Sequence, residues 1–228
     1  MSAATLNERT APDPYKLGRS TGGGRGGHGT GSSTGRGQDG PASKFIVTGY
    51  GFWIFLLSDI VMFSAFFAAY AVLSGNTDGG PSGAQLFDLK NTALETSILL
   101  FSSFTCGMSS VASSQRHTFL TELWLLITGL LGAGFLVLEV TEFAHMVAQG
   151  AGPSRSGFLS AFFAVVGLHG LHVFAGLLWL GTMMAQVWVK GFRPDIQRRL
   201  HCFNLFWHAL DIIWVALFTV VYLLGSGA

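Results

Sequence analysis

Five long apolar segments, each carrying acidic or histidine side chains within it, constrain this chain more than any other feature. The first, Tyr50–Leu73, holds a single carboxylate, Asp59. At about 1.5 Å of rise per residue such a segment crosses a hydrocarbon layer of roughly 30 Å. A charge at the bilayer centre costs at least about 2.5–3.5 kcal/mol, so Asp59 must face protein, water or a partner rather than lipid tails. The chain is therefore expected to be an integral membrane protein whose buried ionisable groups mark its function. Half of its residues are apolar and only 11% are charged, against about 25% charged in soluble domains.

The expected architecture is all-α: a five-transmembrane-helix bundle over residues 45–228, preceded by a disordered tail. The spans are placed at about 50–73, 92–112, 119–146, 157–189 and 201–224. Residues 1–44 are rich in Gly, Ser and Thr, as in Gly22-Gly23-Gly24-Arg25-Gly26-Gly27, and bury too little apolar surface to offset ordering entropy. The tail is too long and polar for the leading region of a cleavable signal peptide, and its His28 is read as solvated. Gly79-Gly80-Pro81 and Gly150-Ala151-Gly152-Pro153 supply turns between spans. No internal repeat is visible, which disfavours inverted-repeat transporter folds.

Orientation follows from the 13 Lys and Arg residues. Arg9, Lys16, Arg19, Arg25, Arg36 and Lys44 lie in or at the tail, Arg116 between the second and third spans, and Lys190, Arg193, Arg198 and Arg199 between the fourth and fifth. Only Lys90 and Arg155 fall on the other side. The positive-inside rule puts the N-terminus in the cytoplasm and the C-terminus outside. The near-neutral balance, with bases at the membrane edges, gives no sign of nucleic-acid binding. Cys106 and Cys202 then lie toward the reducing side, where a disulfide is not expected, and both read as small apolar fillers.

The buried polar groups fall into stripes. Glu139, Glu142 and His145 recur every three residues on the third span, as do His169 and His172 on the fourth, and His208, Asp211 and Trp214 on the fifth. Each stripe is expected to turn inward. Asp59 and Asp211 come out about 14 Å into their spans, with the fourth-span histidines and His208 as expected partners. Glu95 lies near the outer end of the second span, and Glu122 reads as a solvated helix-start carboxylate. Three chemistries fit such stripes. Glu142-Phe143-Ala144-His145 is one Glu-x-x-His element, whereas a di-iron bundle needs a second copy and further glutamates. His169 or His172 facing His208 would suit a b-type haem, and the plainest reading is helix-to-helix hydrogen bonding. Gly129, Gly132, Gly134, Gly167, Gly170 and Gly176 permit close helix approach, and Trp53, Trp124, Trp179, Trp188, Trp207 and Trp214 are partly interface anchors.

Three motifs carry a family resemblance. Gly51-Phe52-Trp53-Ile54-Phe55-Leu56-Leu57-Ser58-Asp59, followed by Phe63-Ser64-Ala65-Phe66-Phe67-Ala68-Ala69-Tyr70, resembles the signature helix of subunit III of haem–copper terminal oxidases. Gly167-Leu168-His169-Gly170-Leu171-His172-Val173 and Phe206-Trp207-His208-Ala209-Leu210-Asp211-Ile212-Ile213-Trp214 resemble two later helices of the same subunit, in order. Five spans look like its short form, and the stretch from Gly150 to Phe163 is similar to the bo-type ubiquinol oxidases. The resemblance implies a non-catalytic accessory subunit in a bacterial cytoplasmic membrane, with a periplasmic C-terminus. It implies no cofactor in this chain, with haems and copper in partner subunit I, and phospholipid bound between helices. It also implies subunits I and II and a small subunit IV as partners, in a complex that oxidises ubiquinol, reduces O₂ to water and translocates protons. Asp59 stands where the family usually has a buried glutamate reactive toward carbodiimides. On this reading Asp59, Glu95, Glu139, Glu142, His145, His169, His172, Trp207, His208, Asp211 and Trp214 serve packing or lipid binding. The alternative is a stand-alone membrane redox protein or a transporter using the same stripes.

Overall fold

The computed structural model describes residues 44–77, 89–223 and 225, so the reading of the tail, and the Gly79-Gly80-Pro81 turn, lie outside the described residues. Among those described there are five long helices and no strand: α1 (Lys44–Leu73), α2 (Leu89–Ser114), α3 (Thr118–Ala148), α4 (Gly157–Lys190) and α5 (Pro194–Leu217). The last turns of the chain widen into a π-helical segment, Phe218–Leu223. The helices outrun the apolar runs at several ends. α1 starts at Lys44 and α5 at Pro194 rather than at His201. At α5 the reason is local: Arg193 is extended, Pro194 pre-sets the first helical φ, and Asp195 complements the helix dipole. Hydropathy stops at the first polar residue, whereas a helix continues into the interface.

Asp59 lies about 22 Å from the start of α1 and Asp211 about 26 Å from the start of α5, by helix rise. Asp59 sits near the middle of α1, whereas Asp211 is about 9 Å from the Leu217 end of α5.

Four elements are long and apolar enough to cross a membrane: Ile46–Leu73, Thr118–Ala148, Gly157–Lys190 and Pro194–Leu223. α2 is long enough but falls short in apolarity, through Thr92, Thr96, Ser102, Ser103, Thr105 and Ser109. All six are packed inside the bundle or bonded to it, so its low apolarity comes from its packed face.

The connections are tight. Arg116 takes φ 59°, with Arg116 N bonded to Ser113 O and His117 N to Ala112 O, which closes α2 in a Schellman turn. Gly150, at φ 76°, closes α3 in the same way, with Gly150 N on Val147 O and Ala151 N on Met146 O. Ser156 then caps α4 by accepting from Leu159 N at 3.2 Å. These short reversals make neighbours antiparallel and bring the Arg116 and Arg193 turns to one end.

α4 packs on α1, α3 and α5, and α5 also packs on α1 and α2, so these two helices form the centre. Trp207 fills the middle: a Cβ on Gly132 of α3 would lie 2.8 Å from its ring, and one on Gly176 of α4 would lie 3.0 Å away. Trp207 and Trp214 are thus core residues, whereas Trp53 and Trp188 remain exposed.

Candidate functional site: buried polar clusters

Three polar clusters occupy the interior. The first lies toward the end that carries Arg155, where α2, α3 and the π turn meet. Glu95 and Glu139 are 0% and 3% exposed, and both interact electrostatically with half-buried Glu142 and fully buried Tyr222. Asn91 donates to Glu95 Oε1 at 3.5 Å. Glu95 Oε2 and both oxygens of Glu139 have no hydrogen-bond partner. Gly170 makes the room for Glu139, since a Cβ there would stand 2.7 Å from Oε1. Tyr70 of α1 closes this end by donating to the Val221 carbonyl at 3.1 Å.

The second cluster joins α1 to α4. His172 Nδ1 lies 2.7 Å from the Leu168 carbonyl, which accepts only, so Nδ1 carries the hydrogen. Nε2 then faces Asp59 Oδ1 at 3.4 Å. One turn away, His169 is 0% exposed and neither ring nitrogen has a partner. It sits among Phe63 of α1, Phe135 of α3 and Trp214 of α5, with ring centroids 6.4, 6.0 and 5.2 Å away.

The third cluster is a seam along α2. Ser102 accepts from Trp207 Nε1 at 3.0 Å, and Thr96 accepts from Trp214 Nε1 at 3.0 Å. Thr105 and Thr128 of α3 share a hydrogen bond of 2.8 Å. Cys106 donates to Asn204 Oδ1 at 3.1 Å, and Asn204 donates to the Leu200 carbonyl. Ser103 bonds His208 Nδ1 at 2.7 Å.

Comparison with known proteins gives this bundle a family. The cytochrome c oxidase subunit III model matches residues 33–226. The chain belongs to the cytochrome c oxidase subunit III family. Within this family the chain is similar to cytochrome bo(3) ubiquinol oxidase subunit 3 of Pseudomonas aeruginosa, 50% identical over 179 residues covering 78% of this chain and 86% of that protein. It is also similar to quinol oxidase subunit 3 of Bacillus subtilis, 41% identical over 177 residues (78% and 87%). Cytochrome c oxidase subunit 3 of Bacillus sp. strain PS3 is 41% identical over 175 residues (77% and 84%).

Of the residues singled out by sequence, Asp59 meets His172, Glu95, Glu139 and Glu142 lie in electrostatic reach of one another, and Asp211 makes no ion pair with His208, which bonds Ser103 instead. Two expectations fail, at His145 and Glu122. His145 does not turn inward; it is exposed on α3 and bonds Gln149 at 2.8 Å, because the stripe runs off the bundle's end. His172 faces α1 and His208 faces α2, so the two histidine stripes do not oppose each other. Glu122 is half-buried with Oε1 shielded from solvent, not a freely solvated carboxylate. Cys106 fills the core, fully buried, and also donates to Asn204 Oδ1. Sequence reading missed Thr96, Ser102, Ser103, Asn204, Tyr70 and Tyr222. The signal for the α2 group was present: an apolar-length helix whose hydroxyls recur at helical spacing has a polar face to pair.

Proposed function

We propose that this chain is the non-catalytic subunit III of a bacterial haem–copper ubiquinol oxidase, holding lipid and stabilising the catalytic subunit I. Its five helices all span, with the N-terminus cytoplasmic and the C-terminus periplasmic. The observation that carries this is the 50% identity to a bo(3) ubiquinol oxidase subunit 3 over most of both chains. The interior supports an accessory role. Haem or copper would need histidines free to ligate from facing helices, and His145, His169, His172 and His208 do not fit. His172 is engaged by Leu168 O and Asp59, His208 by Ser103, and His145 by Gln149. His169 is ringed by aromatic carbon. Among the described residues no three His, Cys, Asp or Glu side chains converge as a metal cage. On this reading the redox centres belong to subunit I, and the polar clusters fix one packing of the helices. Subunits II and IV complete the assembly.

A tag on this chain should copurify an oxidase that consumes O₂ with ubiquinol and not with reduced cytochrome c. Turnover with cytochrome c alone would favour the second reading, supported by the Bacillus sp. strain PS3 relative. A coloured complex in which haem travels with this chain alone would refute the accessory role.

A further inference from the structure

At the end of the bundle that carries the Arg116 and Arg193 turns, α2 and α5 border a notch of about 340 Å³. Basic and polar side chains dominate it, and none of its lining residues is acidic. Arg116 is exposed and makes no ion pair among the described residues. Ser113 is only 7% exposed, yet its hydroxyl makes no hydrogen bond among the described residues and is not sealed from solvent. Ser110 and Gln197 also line the notch, with side chains that have no partner among the described residues. His201 completes the wall.

Arg116 holds its place at a conformational cost. It takes φ 59°, in a left-handed turn position that ordinarily goes to glycine or asparagine. The turn ties up carbonyls at the end of α2, and the first turn of α5 adds the positive end of its dipole. A concave set of donors around one guanidinium matches the oxygens of a phosphate group. Beyond the notch the same helix pair continues as an apolar groove past Val111, Met108, Phe104 and Leu100. Positions 107, 110 and 114 of α2 share one face, as do 197, 201 and 208 of α5, so notch and groove form one furrow. From Val111 to Leu100 it runs about 16 Å by helix rise, close to half of the roughly 30 Å hydrocarbon layer. A free phosphate ion has no use for that stretch, whereas one acyl chain of one leaflet fills it. We propose that the Arg116–Ser113 notch binds the phosphate of an anionic phospholipid whose acyl chain lies along the α2–α5 furrow. On the topology proposed above this is the cytoplasmic leaflet, where basic pockets between helices meet anionic headgroups. This rests on the lipid-holding reading above and adds the place of the lipid and the chemistry of its headgroup.

The test replaces Phe104, 59% exposed in the furrow, with p-benzoylphenylalanine in the assembled complex. Val137, exposed on α3, is the control position. The complex is reconstituted in nanodiscs of phosphatidylglycerol and phosphatidylcholine and irradiated, and the lipid attached to this chain is identified by mass. Position 104 should capture phosphatidylglycerol in excess of its share of the bilayer, and position 137 in proportion to that share. Arg116→Asn keeps the left-handed turn without the charge and should lower the excess roughly 5-fold, the worth of one arginine at a membrane surface. Arg116→Lys keeps the charge and should preserve most of it. Capture at 104 in bulk proportion, capture of a polypeptide there, or an excess unchanged by Arg116→Asn would overturn the proposal. So would loss of the excess on adding inorganic phosphate but not chloride at equal ionic strength, which assigns the notch to the free ion. Copurification of oxidase subunits with this chain is scored in the same preparation. Their absence overturns the accessory reading, whereas unenriched capture with the oxidase intact overturns the lipid notch alone.

Discussion

At the scale of single residues, the interior is organised by which polar atoms are paired. Asp59 meets His172 Nε2 at 3.4 Å. Asp59→Asn keeps shape and hydrogen-bonding capacity, so the assembled oxidase should turn over initially at close to the unmodified rate. Asp59→Leu strands the imidazole and should loosen the subunit, read as its loss during detergent purification or as faster inactivation during turnover. Loss of proton pumping in an assembled Asp59→Asn complex would instead put this carboxyl on a proton path. Gly170 tests a different constraint. Its missing side chain holds the Glu139 carboxyl, which an added Cβ would meet at 2.7 Å. Gly170→Ala should destabilise by about 1–3 kcal/mol, the cost of overpacking a tight interior. The two free cysteines, Cys106 and Cys202, are buried, so a thiol-reactive fluorophore during heating reports the shift directly.

At the scale of elements, α2 is the instructive helix. Its hydroxyls receive two indole N–H groups from α5, at Ser102 and Thr96. Ser102→Ala would leave Trp207 Nε1 buried without an acceptor. The expected loss is about 1 kcal/mol, between the penalty in soluble cores and the smaller average measured across membrane helices. The same substitution at Ser97, which bonds only the Ala93 carbonyl of its own helix, should change the melting temperature little. A thermal series on the two variants separates a seam between helices from ordinary polar decoration. Equal effects would show that the α2–α5 bonds add nothing to docking.

At the scale of the whole molecule, two expectations remain open to direct measurement. If α2 crosses the membrane with the other four helices, the termini lie on opposite sides. A C-terminal alkaline phosphatase fusion should then be active and a green fluorescent protein fusion dark; the reverse pattern would overturn five spans with a cytoplasmic N-terminus. For the redox centres, alanine at His145, His169, His172 or His208 should leave haem and copper content of the assembled complex unchanged. Stoichiometric loss of one haem from an assembled His169→Ala complex would overturn the accessory reading.

The sequence determined the class of this molecule, because long apolar runs admit only membrane helices and three ordered motifs point to one family. It also put Asp59, His172, His208 and Asp211 on stripes, since helical periodicity is a local property. Tertiary structure alone decided which stripe meets which. The spacing of His169 and His172 is the same whether they oppose His208 or not, and only the rotation of α4 sends His172 to Asp59 and His169 into an aromatic cage. Likewise the serines and threonines of α2 look like a weakness in hydropathy until α5 brings Trp207 and Trp214 against them. A side chain's cost in a membrane depends on its neighbour, and neighbours across helices are not written in local spacing.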